Sequence, residues 1–150
     1  MLNWQFKTLA QMRPQQVYQM LQLRSQVFVL EQDCLYLDAD GQDLGNTMHL
    51  LGLKGDDLVA YARIIQLNTS DFSIGRICVV KSDRQFGYGK ALVAKSLSFL
   101  NDRQAKHIII SAQAYLLNFY QGFGFVAEGE AYLEDGIPHI KMVMGPQKSR

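Results

Sequence analysis

Ile77-Cys78-Val79-Val80-Lys81-Ser82-Asp83-Arg84-Gln85-Phe86-Gly87-Tyr88-Gly89-Lys90-Ala91-Leu92-Val93 reads as a strand, a glycine-containing turn and the opening of a helix. Residues 77–80 are apolar and mostly β-branched, the composition of a buried strand. Residues 90–97 carry Ala91, Leu92, Val93 and Leu97 among polar residues and read as a helix. A helix leaves its first N–H groups without intrahelical partners, and its dipole adds positive potential there, so such a junction attracts anions. Gly87 and Gly89 let the backbone approach a phosphate with no Cβ in the way. A G-x-G pair alone is a weak signal. Between a strand and a helix it predicts a phosphorylated ligand at residues 84–89.

Working outward, residues 2–6 read as a short strand. Pro14 suits a first helical turn, and Val17, Met20, Leu21, Val27 and Phe28 follow at helical spacing. Residues 33–47 read as loop, and residues 49–53 and 58–65 as a hairpin around Lys54-Gly55-Asp56-Asp57. A strand over 73–80 precedes the helix over 87–101, which buries Leu92, Val93, Leu97, Phe99 and Leu100. Then come a strand over 107–112, a short helix over 115–121, and strands over 125–133 and 137–144. No repeat or linker divides the chain, so one domain is expected over residues 1–150. Strands in series followed by βαβ units predict an α/β (α+β) fold, a mixed sheet with helices on both faces.

With 48% hydrophobic residues in 150, the chain can build a sizeable core. A net charge of +1 gives no global field for nucleic acid or an anionic membrane. No apolar run is long enough to span a bilayer, and residues 1–7 lack the basic-then-apolar order of a secretory signal. A cytoplasmic protein is expected, with no nucleic-acid or membrane partner. Cys34 and Cys78 match neither a disulfide framework nor a zinc motif. Residues 38–43 resemble a calcium loop only until Gly41 is aligned with the required glycine, which puts Tyr36 and Thr47 at the first and last ligand positions. No metal is expected.

Charge is segregated along the chain. Residues 31–43 hold Glu31, Asp33, Asp38, Asp40 and Asp43 with no base, and residues 128–135 hold Glu128, Glu130, Glu134 and Asp135. Residues 76–95 carry Arg76, Lys81, Arg84, Lys90 and Lys95 against Asp83 alone. This predicts one sub-site for an anion and one for a cation. Solvated acidic loops remain the alternative for either acidic run.

A second motif, Phe119-Tyr120-Gln121-Gly122-Phe123-Gly124-Phe125, follows the later strand. An R-x-x-G-x-G turn opening a helix, then F-Y-x-x-x-G-F about thirty residues on, resembles the GNAT superfamily of acetyl-CoA-dependent N-acetyltransferases. The resemblance covers nearly the whole chain and is nearer still to the ElaA-like branch. Residues 21–24, 27–32, 75–77, 112–114 and 134–139 carry that likeness. It implies a mostly antiparallel sheet of six or seven strands. It also implies that Arg84, Gln85, Phe86, Gly87, Tyr88 and Gly89 hold the pyrophosphate of acetyl-CoA, with Lys90 beside it. Ile77, Cys78 and Val79 would offer strand backbone to the pantetheine arm. The Val79 amide is then a candidate donor to the thioester oxygen. Tyr120 would act as general acid toward the departing thiolate. Gln113 and Asn118 fall at cofactor-contacting places. Gln113 stands where many relatives have Asn, and Gln85 where Gly is usual.

Attack requires a neutral amine, and alkyl amines titrate near ~10.4, so deprotonation must be assisted. Arg24 falls on the apolar face of the first helix, seven residues after Val17, and Glu31 follows after seven more. They read as a structural ion pair, as groups hydrogen-bonded to backbone where the sheet splays, or as acceptor-binding groups, with Glu31 a candidate base. His49 and His139 are further candidates for acceptor binding or base. The expected acceptor is a small or peptide amine, cationic if the acidic runs face it, and a homodimer through the last strands is possible. A non-catalytic acyl-CoA-binding module is the alternative function. A nucleotide-binding α/β protein is a second rival, disfavoured because neither a G-K-[ST] nor a ribose-binding carboxylate follows the turn.

Overall fold

The structure, a computed structural model, describes residues 1–145. Its elements are β1 (Asn3–Lys7), α1 (Pro14–Arg24), β2 (Met48–Lys54), β3 (Asp57–Gln66), β4 (Asp71–Val79), α2 (Tyr88–Asp102), β5 (His107–Gln113), α3 (Leu117–Gln121), β6 (Val126–Glu134) and β7 (Ile137–Met144). Seven strands form one sheet in the order β1-β2-β3-β4-β5-β7-β6. Every neighbouring pair is antiparallel except β4 and β5. The mixed sheet expected from the order of elements is therefore present, with the mostly antiparallel, seven-stranded form that the family resemblance implies.

Strand alternation feeds two cores. Leu50 and Leu51 are adjacent, both fully buried, and point to opposite faces. Leu50 joins Ala62, Ile64, Leu92, Val93, Leu100, Ile110 and Met142 beneath α2. Leu51 joins Met20, Leu23, Tyr61 and Cys78 beneath α1. Full burial of a Leu is worth roughly 1.5–3 kcal/mol, so these paired positions anchor the sheet from both sides. The β5–β7–β6 part of the α1 face carries the polar or exposed residues Ser111, Lys141, Tyr132 and Glu134.

Two departures from regularity position the site. β4 and β5 pair only from Asp71↔His107 to Ser73↔Ile109. Beyond that point β4 stays with β3 to Val79 and β5 stays with β7 to Gln113, so the sheet opens into a gap. Beside the gap β4 bulges: Arg63 faces Gly75 and Tyr61 faces Cys78, leaving Arg76 and Ile77 opposite Ala62 alone. Arg76 lies at φ 52°, a left-handed conformation uncommon for a residue with a Cβ.

The first helix also departs from expectation. α1 stops at Arg24 and continues as a π-helix over Ser25–Glu31, whose wider turn changes the phase of the apolar stripe. A seven-residue extrapolation from Arg24 therefore does not place Glu31 on the same face. Arg24 is fully buried, whereas the Glu31 side chain is 32% exposed.

Candidate active site

Strand register decides what faces the gap. The Val80 amide donates to the Val59 carbonyl at 2.8 Å. With Ala60↔Val79 and Tyr61↔Cys78 in register, residues 80 and 78 spend their backbone groups on β3. The N–H and C=O of Val79 consequently point away from β3, into the gap. The Val79 carbonyl accepts the Arg84 Nε–H at 3.0 Å, and its amide is left facing outward. Cys78 is buried among the α1-side core residues, and burial pushes its thiol pKa up, as befits an apolar strand residue and not a nucleophile.

The turn after β4 is a 3₁₀ segment, Lys81–Phe86, ended by Gly87 at φ 78°. α2 begins at Tyr88 with no side-chain cap, so the N–H groups of Tyr88, Gly89 and Lys90 lack a protein acceptor of the usual kind. A Cβ added at Gly87 or Gly89 would meet no atom within 4 Å. The turn is thus an open cradle of backbone amides, with the exposed Gln85, Phe86 and Lys90 around it. Arg84 also reaches Glu31, Nη2 to Oε1 at 2.6 Å. That pair ties the end of the π-helix to the turn.

α3 presents Tyr120 from the far side of the gap. Its ring packs edge-on against Phe119 and Phe125. Burial, aided by the neighbouring Tyr115, pushes its pKa up to about 12, so the hydroxyl keeps its proton throughout the physiological range. No hydrogen bond to that hydroxyl is formed among the described residues. Asn118 is exposed on the same short helix, and Gln113 ends β5 opposite His139.

The loop over residues 33–47 corrects three expectations. Arg24 does not pair with Glu31; its Nη1 donates to Asp43 Oδ1 at 2.7 Å and its Nε lies 2.8 Å from Asp38 Oδ2. Arg63 binds Asp40 and Asp43, and Arg76 binds Asp38 and Asp40. Three of the five carboxylates in the acidic run are thus consumed by three guanidinium groups from α1, β3 and the β4 bulge, which removes them as a cation site. His49 is fully buried, with Nε2 donating to the Asp43 carbonyl at 2.9 Å and Nδ1 accepting from the Tyr61 hydroxyl. Burial pushes its pKa down, and with both nitrogens committed neither Arg24 nor His49 can touch an acceptor. Sequence reading missed Arg63 and Tyr61. The one available signal was charge inside otherwise apolar segments, Arg24 in α1 and Arg63 in β3.

Burial opposes ionisation of Asp40, but the hydrogen bond from Arg63, the Gln42 amide and the charges of Arg63 and Arg76 outweigh it and lower its pKa to about 2. A depressed carboxylate stabilises the fold above its unfolded pKa of 3.8 and loses that contribution as pH falls through about 2. Asp40→Asn is expected to cost about 1 kcal/mol at pH 7 in urea unfolding, since the group is only partly sealed. The gap between variant and wild type should narrow below pH 3.8 and close near pH 2.

On the α1 face of β5, β7 and β6, four side chains connect. Ser111 Oγ bonds the Tyr132 hydroxyl and donates to Glu134 Oε1 at 3.2 Å. Glu134 Oε2 lies 3.4 Å from His139 Nε2, and the His139 ring stacks on Tyr132. His139 Nδ1 lies 2.7 Å from the Ile137 carbonyl. The adjoining loop closes against this hairpin, with Cys34 Sγ donating to the Asp135 carbonyl at 3.1 Å. A separate cavity of about 370 Å³, lined by Met48, Ile64, Phe72 and Phe99 among others, holds none of the expected site residues.

A family model described as an acetyltransferase (GNAT) domain matches residues 5–145. Protein ElaA of Escherichia coli K12 is 44% identical over 95% of both chains. A UPF0039 protein of Synechocystis is 41% identical over 95% of this chain and 94% of its own. The crystal structure of Escherichia coli ElaA superposes with a TM-score of 0.89 over 95% of this chain and 99% of that one. An acyl-CoA N-acyltransferase of Pseudomonas aeruginosa, 38% identical, does so with 0.90 over the same shares. The strand gap, the uncapped glycine turn and these likenesses agree, and the chain belongs to the GNAT family of acetyltransferases as a homologue of ElaA.

Proposed function

We propose that this chain transfers an acetyl group from acetyl-CoA to the amine of a small acceptor by direct attack, both substrates being bound at once. The observation that carries the reading is the Val79 amide, turned into a strand gap that runs into an uncapped helix N-terminus. The residues fit the donor. The amides of residues 88–90 suit its pyrophosphate, and the outward backbone of Val79 suits the amide-bearing pantetheine arm. Bound there, acetyl-CoA supplies an activated thioester.

This chain's residues do the rest. The Val79 N–H is oriented toward oxygen charge that develops during attack, and Tyr120 holds a proton for the departing sulfur. Orientation of the two substrates supplies much of the acceleration. A protein that merely sensed acyl-CoA would bind it without releasing thiol in the presence of any amine.

Gly89→Ala separates donor binding from folding. The added Cβ meets no protein atom and improves helix propensity, so stability should hold or rise slightly. The methyl group obstructs the cradle, and calorimetric affinity for acetyl-CoA should fall at least about tenfold, or ~1.4 kcal/mol. Unchanged affinity would place the donor elsewhere.

A further inference from the structure

Of the groups considered as base, Glu31 is engaged by Arg84 at 2.6 Å and His49 has no free nitrogen. His139 differs. The Ile137 carbonyl only accepts, so Nδ1 carries the ring hydrogen and Nε2 of the neutral ring keeps its lone pair. Nε2 lies 3.4 Å from Glu134 Oε2, an ion pair only when the ring is protonated, so the neutral ring's lone pair has no donor among the described residues, and the Glu134 side chain is 48% exposed. A carboxylate thus stands at the mouth of a nearly buried imidazole. Ser111 and Tyr132 fix the carboxylate and the ring from β5 and β6. His139 is in register with Gln113, the last residue of β5 at the strand gap.

We infer that Glu134 and His139 form the acceptor site, taking a protonated primary alkyl amine; this rests on the transferase reading above. Glu134 binds the ammonium, and His139 Nε2 removes one of its protons. The freed lone pair forms the N–C bond to the acetyl carbon as the C–S bond breaks. A second proton leaves the nitrogen and replaces, through solvent, the one Tyr120 gives to sulfur. The imidazolium, held between Glu134 and the Ile137 carbonyl, returns its proton to water, so one proton is released per turnover. Lys141 on β7 is paired with Glu128 at 3.2 Å, and Asp135 lies in the β6–β7 turn that Cys34 contacts.

The test measures thiol release from acetyl-CoA with a panel of primary alkyl amines and with hydroxylamine, which is already neutral at pH 7. His139→Gln should lower kcat/KM for the alkyl amines about 10²-fold or more at pH 7. The deficit should shrink as pH rises toward the amine's own pKa of ~10.4, and hydroxylamine should lose far less. Glu134→Gln should raise KM for alkyl amines more than it lowers kcat. Acetyl-CoA affinity of both variants, measured alongside, reports that they fold. Wild-type protein that releases no thiol with any amine overturns the transferase reading itself. An active wild type with a His139→Gln variant of equal rate and pH profile, or activity confined to amines that are neutral at pH 7, overturns the inference alone.

Discussion

Arg24→Met is expected to destabilise the protein by about 3 kcal/mol in urea unfolding. Breaking a buried ion pair by deleting one partner typically costs about 3–5 kcal/mol, because the other charge stays buried. The Asp38 and Asp43 side chains it would leave are only 7% and 10% exposed. The lower end applies because Arg76 still reaches Asp38 and Arg63 still reaches Asp43. Against a typical stability of ~5–15 kcal/mol, this removes a large fraction of the total. A loss below about 1 kcal/mol would show the network to be dispensable. The effect should not stop at stability. Asp38, one of the two carboxylates Arg24 holds, also binds the Arg76 guanidinium and so braces the left-handed residue that bends β4 beside the gap. The variant should therefore also lose kcat at temperatures where it remains folded.

Tyr120→Phe is expected to reduce kcat by about 10²-fold with acetyl-CoA affinity nearly unchanged, the signature of a group acting on the leaving sulfur. The ring is retained, so its packing against Phe119 and Phe125 survives, and the hydroxyl has no protein partner among the described residues to orphan. Stability should consequently shift little. A wild-type rate across the pH range would remove Tyr120 from the chemistry and leave solvent to protonate the thiolate.

The order of elements was legible because each segment's pattern agreed with its final environment. Leu92, Val93 and Leu100 mark the buried stripe of α2, and Pro14 stands at the first position of α1. The glycine turn was legible for the same reason, since a left-handed Gly87 before an uncapped helix is a local property. The Arg24–Glu31 relation was not legible. It assumed one helical period through residue 31, whereas the chain changes to a π-helix after Arg24. The acidic run over 31–43 was misread for a different reason. Its partners, Arg24, Arg63 and Arg76, come from three elements that only folding brings together.

What the amino-acid sequence by itself determined is the set of strands and helices, the glycine turn between β4 and α2 and the family, all of which rest on local patterns and their spacing. What tertiary structure decided is which charges are spent and which remain. Asp38, Asp40, Asp43 and His49 are neutralised or enclosed by neighbours distant in sequence, and Glu31 is taken by Arg84. Glu134 is left half-exposed against His139 by the pairing of β6 with β7. A carboxylate's availability depends on what lies within a few ångströms of it, and that distance is set by the packing of the sheet.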